Sequence, residues 1–158
     1  LEYYQKSYEI RKIAYANNPN HPDIADSLNY IGMAYSEIGN LDEELKHFKQ
    51  SYKITKMAYA NNPNHPDIAT SLNNIGSVYD KKGDNNKALQ YYQESYEMRK
   101  LIYADNPNNP DIAKSLHCIG LIYKNFGDYL KALNYFLDSY EIRKIVYADN
   151  LNHPDIIE

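Results

Sequence analysis

The sequence predicts an all-α solenoid of antiparallel helix pairs, and three observations carry that prediction. The first is a repeat. His21-Pro22-Asp23-Ile24-Ala25, His65-Pro66-Asp67-Ile68-Ala69 and Asn109-Pro110-Asp111-Ile112-Ala113 are equivalent segments 44 residues apart, and His153-Pro154-Asp155-Ile156 opens a further copy. A fixed period of roughly 20–50 residues marks units that bury their apolar faces against one another. The second is apolar spacing, which is helical in both halves of every period, with no alternating strand pattern in competition. The third is punctuation, because helix start and stop signals bracket each half.

One period, 65–108, justifies the elements in order. Pro66 suits a first helical turn, where its missing N–H would have been unsatisfied anyway. Asp67 places negative charge at the helix N-terminus, which the macrodipole favours. Ile68, Leu72, Ile75, Val78 and Tyr79 then recur at i+3 and i+4, giving one apolar stripe. Gly83 is the stop, and Asp84 caps the second helix, as Asn40 and Asp128 do in the other copies. Asn40 is followed three residues later by Glu43, a capping-box-like pair. The second helix carries a stripe of Ala88, Leu89, Tyr92, Tyr96, either Met98 or Arg99, and Tyr103, until Asn-Pro-Asn breaks the chain.

Applied throughout, this reading places helices over 2–16, 23–38, 41–60, 67–82, 85–104, 111–126 and 129–148. The chain is then one array: 1–20 is the second half of a repeat, and 21–64, 65–108 and 109–152 are full repeats. Residues 153–158 start a truncated one. Both ends fall inside repeats, as expected of a segment of a longer array. Gly32, Gly76 and Gly120 recur in the middle of the first helices, where each costs about 1 kcal/mol relative to Ala. Their common position predicts that the paired helix crosses close to the backbone there.

Composition narrows the function classes. A net charge of −4 over 158 residues supplies no basic footprint for nucleic acid or an anionic membrane surface. Apolar runs are too short to span a bilayer. The single Cys118 rules out an internal disulfide framework and, with no N-x-Ser/Thr acceptor, agrees with a reducing, cytoplasmic setting. The 18 Tyr suit half-exposed faces of a thin solenoid, being large and apolar with a polar tip. Nucleotide-composition bias would produce the same enrichment.

Leu72-x2-Ile75-Gly76-x2-Tyr79 followed by Ala88-x3-Tyr92 resembles the tetratricopeptide repeat. So do Leu28, Ile31, Gly32 and Tyr35 with Phe48, and Leu116, Ile119, Gly120 and Tyr123 with Ala132 and Phe136. The H-P-D-I-A-T-S-L-N-N-I-G segment is most similar to the kinesin light chain and nephrocystin subgroup. The resemblance implies a right-handed superhelix. Three departures stand out. The period is longer than the subgroup's, with the extra residues in the Asn-Pro-Asn connection. Glu44 replaces the small residue held by Ala88 and Ala132, which predicts looser packing of the first pair. Lys56, Lys100 and Lys144 stand where the family has a terminating proline, consistent with second helices that run on.

The resemblance also implies a concave groove, lined by the first helices, that receives an extended or helical peptide. Its positions in the first copy are Asp26, Asn29, Tyr30, Met33, Ser36 and Glu37. The second copy supplies Thr70, Asn73, Asn74, Ser77, Asp80 and Lys81. The third supplies Lys114, His117, Cys118, Leu121, Lys124 and Asn125. These positions vary between copies while the core does not, as a binding surface, or any exposed face, would. Asp26 and Glu37 make one end acidic, and Lys114 and Lys124 make the other basic. A peptide of mixed charge, gripped through its backbone by Asn side chains, fits that pattern; a merely solvated face fits it too. A carboxylate clamp of the chaperone-tail kind fits poorly. Asn74 and Lys114 match two of its positions, but Asn29, Met33 and Cys118 stand where it has Lys, Asn and Arg.

Catalytic and metal readings find no support. The His-Pro-Asp triplets resemble the J-domain loop, yet here they open successive helices. His21, His65 and His153 lie a period apart, with no short-range ligand spacing. Cys118 and His117 are adjacent on a helix and point about 100° apart, so they are not a nucleophile–base pair. No phosphate loop or hydrolase elbow is present, and no cofactor is expected. Two readings stay open: a module binding a peptide or partner domain, and a structural segment that self-associates end to end. The second draws on Leu1, Tyr4, Tyr8 and Ile10 at one end and Tyr135, Tyr140 and Ile142 at the other, which expect a neighbour.

Overall fold

The structure is a computed structural model that describes residues 1–150 and 153–154. Among the described residues there are seven helices, α1 (Glu2–Ala14), α2 (Pro22–Ile38), α3 (Leu41–Ala58), α4 (Pro66–Lys81), α5 (Asn85–Ile102), α6 (Pro110–Asn125) and α7 (Tyr129–Val146). Asp155 and Ile156, the rest of the expected fourth opening, lie outside them. Each helix packs on the one before and the one after. The pairs α2/α3, α4/α5 and α6/α7 therefore stack as a solenoid.

The junction signals act as local chemistry requires. His21 and His65 are N-caps in extended conformation, and their Nδ1 atoms each accept the amide N–H of the Asp two residues on, at 3.2 Å. Asn109 does the same with Oδ1 at 2.8 Å. The His rings also stack on the tyrosine that ends the preceding helix, Tyr15 on His21 at 3.7 Å and Tyr59 on His65 at 3.5 Å between centroids. That tyrosine donates its hydroxyl to the same Asp, at 2.6 Å from Tyr15 to Asp23 and 2.9 Å from Tyr59 to Asp67. His-Pro-Asp is thus a helix start that the previous repeat clasps from behind.

The tyrosine clasp also corrects the second helices. They stop two residues before the expected ends, at Ala14, Ala58, Ile102 and Val146, with Tyr15, Tyr59, Tyr103 and Tyr147 as C-caps off the helical path. Within each pair the turn is a Schellman closure. Gly39, Gly83 and Gly127 take φ of 80°, 75° and 79°, a left-handed region that Gly enters without a Cβ clash. The Asn40 N–H consequently bonds the Tyr35 carbonyl at 2.9 Å. Asn40 still caps Glu43 N–H at 3.2 Å, but the Glu43 carboxylate pairs with Lys46 at 2.9 Å. Only half of the expected capping box forms, because its other donor is already satisfied.

The core runs along the first helices as Ile68, Leu72, Ile75, Val78 and Tyr79 and their equivalents, all buried in the central repeat. At the mid-helix glycines the expected close approach is a ring. A Cβ on Gly32, Gly76 or Gly120 would lie 2.7, 2.9 or 2.7 Å from the ring of Phe48, Tyr92 or Phe136. In the second helix Arg99, not Met98, is the buried choice. Ser51, Ser95 and Ser139 are buried as well and donate to the Ala25, Ala69 and Ala113 carbonyls at 2.8, 2.7 and 2.8 Å. Glu44 does not loosen the first pair. It is buried, its carboxylate turned to Lys81 at 2.8 Å, while Phe48 still closes on Gly32.

Candidate functional site

The positions assigned to the groove fall on α2, α4 and α6, and the structure divides them. Asp26, Tyr30, Met33, Glu37, Thr70, Lys81, Lys114, Lys124 and Asn125 are exposed; Asn29, Ser36, Asn74, Ser77, Asp80, His117, Cys118 and Leu121 are half-buried. Asn73 departs from the expectation. It is 6% exposed, with a buried Oδ1 that has no hydrogen-bond partner, so it is not a surface contact. α4 is packed between α3 and α5.

Two clefts gather these residues. The first, of ≈ 260 Å³, lies between α2 and α4, with Met33, Ser36 and Glu37 on one side and Asn74, Ser77 and Lys81 on the other. Its remaining wall is Glu44 and Phe48 of α3. Lys81 bridges the cleft, donating to Ser36 Oγ at 2.6 Å and to Glu44 Oε1 at 2.8 Å. Glu44 Oε2 is buried without a hydrogen-bond partner. The second cleft, of ≈ 420 Å³, is framed by Lys114, His117 and Cys118 of α6 with Arg143 and Tyr147 at the end of α7.

Between these clefts the middle of the face is closed by side-chain bonds. Asn125 donates to Asp80 at 3.2 Å and to Asn85 at 3.3 Å. Tyr92, at the position of Phe48, brings a phenol to Ser77 and Cys118, and burial pushes that phenol up. Although Asp26 is exposed as a residue, partial desolvation of its carboxyl first, then the nearby Asp67 and Asp23, hold it above the usual carboxylate range. Burial likewise raises Asp80 and the Cys118 thiol, which keeps Cys118 in the unreactive thiol form near neutrality.

Glu44 and Phe48, which complete the first cleft, come from a second helix and were not among the expected groove residues. The signal was present as the exchange of a small residue for Glu44, but its direction is a tertiary property. Among the described residues no three His, Cys, Asp or Glu side chains cluster in a way that could hold a metal ion. No helix among them is long and apolar enough to cross a membrane.

Comparison with known proteins places this geometry. Family models described as tetratricopeptide repeat match residues 1–57, 58–100 and 112–155. The crystal structure of BtubC (BKLC) from P. vanneervenii is similar with a TM-score of 0.74 at 18% identity, over 88% of this chain. This chain spans 55% of that one. The structure MamA MSR-1 C2 is similar with a TM-score of 0.55 at 16% identity, over 90% of this chain and 69% of that one. At such identities the likeness speaks to fold alone. No curated protein sequence matches. With the family models covering most of the sequence and the helix pairs in place, the chain belongs to the tetratricopeptide repeat family.

Proposed function

We propose that this array binds a protein partner through an extended or helical peptide laid along α2, α4 and α6. Tetratricopeptide repeats generally mediate protein–protein interaction; the groove and the peptide are the finer reading. The observation that carries it is the cleft between α2 and α4. It mixes polar and apolar lining, is open at its rim, and is flanked by Met33 at 54% exposure. Partly apolar concavities with a few convergent polar groups are where ligands seat. Along the same face charge changes sign, from Asp26 and Glu37 to Lys114 and Lys124, so a peptide of mixed charge has a preferred direction. Catalysis is not part of this reading.

Selection of a displayed random-peptide library against the chain tests it. Selected peptides should lose about tenfold or more in affinity with Asn74→Ala plus Lys124→Glu, and little with Lys53→Glu on α3. Equal loss in both, or in neither, would remove the groove from the account. Asn73 is left out of this test because its burial would turn Asn73→Ala into a stability variant.

A second reading has its own observation. On α7, Leu130, Leu133 and Leu137 are 78%, 52% and 51% exposed, with Tyr140 beside them at 42%. This stripe favours self-association through the outer face of the last helix. Tyr135, by contrast, packs on the core and stacks on Tyr123 at 5.4 Å, so it takes no part. A sedimentation mass that rises with concentration and reverts to monomer with Leu133→Lys would support this reading.

A further inference from the structure

We infer that the cleft between α2 and α4 is a subsite for an arginine side chain of the bound peptide, with Glu44 as its counter-ion. This rests on the groove reading and adds the chemical class of what the cleft selects. Glu44 is 1% exposed and stands where the other two repeats carry Ala88 and Ala132. A charge buried that deeply is tolerated only when its oxygens are satisfied. Glu44 Oε1 has Lys81, but Oε2 is buried with no donor. Half of the carboxylate is therefore uncommitted.

The surroundings state what would complete it. Glu37 lines the same cleft and makes no ion pair among the described residues, so two carboxylates share it with the single ammonium of Lys81, a net charge of −1. Ser36, Asn74 and Ser77 add hydroxyl and amide oxygens that accept hydrogen bonds. A guanidinium carries five donors in a planar fork and is weakly hydrated, so a site with several acceptors suits it better than an ammonium. Phe48 and Met33 supply apolar surface for the aliphatic stem. At ≈ 260 Å³ the cleft holds the equivalent of several waters, each about 30 Å³ in the liquid. Lys81 is the cover. Its side chain is 42% exposed, so its arm can swing outward and uncover the Glu44 carboxylate for the entering group. The neighbouring junction has no such device, because Ala88 replaces Glu44 and Asn125 replaces Lys81 there.

The experiment uses pools of random nonapeptides with one central position fixed as Arg, Lys, citrulline or Glu, titrated against the chain. The Arg pool should bind about tenfold more tightly than the citrulline and Glu pools, with Lys between. Glu44→Gln should bring the ratio of Arg-pool to citrulline-pool affinity to about one. Glu37→Gln, at an exposed position that does not threaten the fold, should reduce it about threefold. Pools that bind equally, in a manner still sensitive to Asn74→Ala, would overturn the subsite and leave the groove standing. Binding by no pool, or binding indifferent to every groove variant, would overturn both. An Arg preference that persists in Glu44→Gln and Glu37→Gln would place the selection elsewhere and overturn the assignment.

Discussion

The guanidinium of Arg99, buried in α5, reaches into the next repeat and donates to the hydroxyl of Ser115 at 2.7 Å. It also donates to the Asp111 carbonyl at 3.0 Å, so one side chain ties the start of α6 to the end of α5. Arg11 holds Ser27 and Asp23 in the same way at 3.0 and 2.7 Å. At the middle junction Thr55 stands in its place and bonds the Ser51 carbonyl of its own helix. Arg99→Ala removes a buried donor, leaves a void and orphans the Ser115 hydroxyl. Urea denaturation should show a loss of about 2–3 kcal/mol. Arg11→Ala, on a helix with no buried residue, should cost less than half as much.

Gly76 sets a second test. Alanine at a helix interior normally gains about 1 kcal/mol over glycine. Here its Cβ would meet Tyr92 Cδ1 and Cε1, both at 2.9 Å, and Tyr92 is 3% exposed. The ring has nowhere to retreat without displacing the neighbouring repeat. Gly76→Ala should therefore destabilise by about 1–2 kcal/mol net, within the range for overpacked cores. A rise in the unfolding midpoint would contradict the close approach.

Acid should loosen the helix starts. The Asp84 carboxyl lies below the usual carboxylate range because Lys87 bonds it through side chain and backbone, and Lys131 does the same for Asp128. A depressed folded-state value means stability that is present above the unfolded value of about 3.9 and lost as pH falls below it. Asp84→Asn with Asp128→Asn should flatten the fall in thermal midpoint between about pH 5 and pH 2. An unchanged slope would show that the caps carry no titrating contribution.

Base should act at the tyrosine clasps. Burial first, then the hydrogen bond to Asp67 and its charge, push Tyr59 up to about 12. A phenol near 10 when unfolded thus favours the folded state below pH 10, and that contribution is lost as pH rises from about 10 to 12. Tyr59→Phe should show a smaller decline over that interval, followed by circular dichroism.

Much of this was legible in the sequence. The period, the apolar stripe from Ile68 to Tyr79, the caps at Asp84 and Asp128 and the glycine stops are local or repeated signals, and local chemistry decides them. The second-helix ends were not legible, because Tyr59 leaves the helix to clasp an Asp in the next repeat. Nor was the burial of Asn73, or the direction of Glu44. Each depends on what the neighbouring helix presents, and a period read along the chain carries no record of the crossing geometry. The serines at 51, 95 and 139 were readable as a recurrence, but only their burial gives it meaning.

Amide hydrogen exchange, with and without a peptide selected by the chain, tests the central claim most directly. New protection is expected along α2, α4 and α6, strongest around Met33 to Glu37 and Asn74 to Lys81, with α3, α5 and α7 unchanged apart from the turn at Glu44. Protection confined to α7 around Leu130 to Leu137, or spread over the outer helices, would contradict a groove on the first helices.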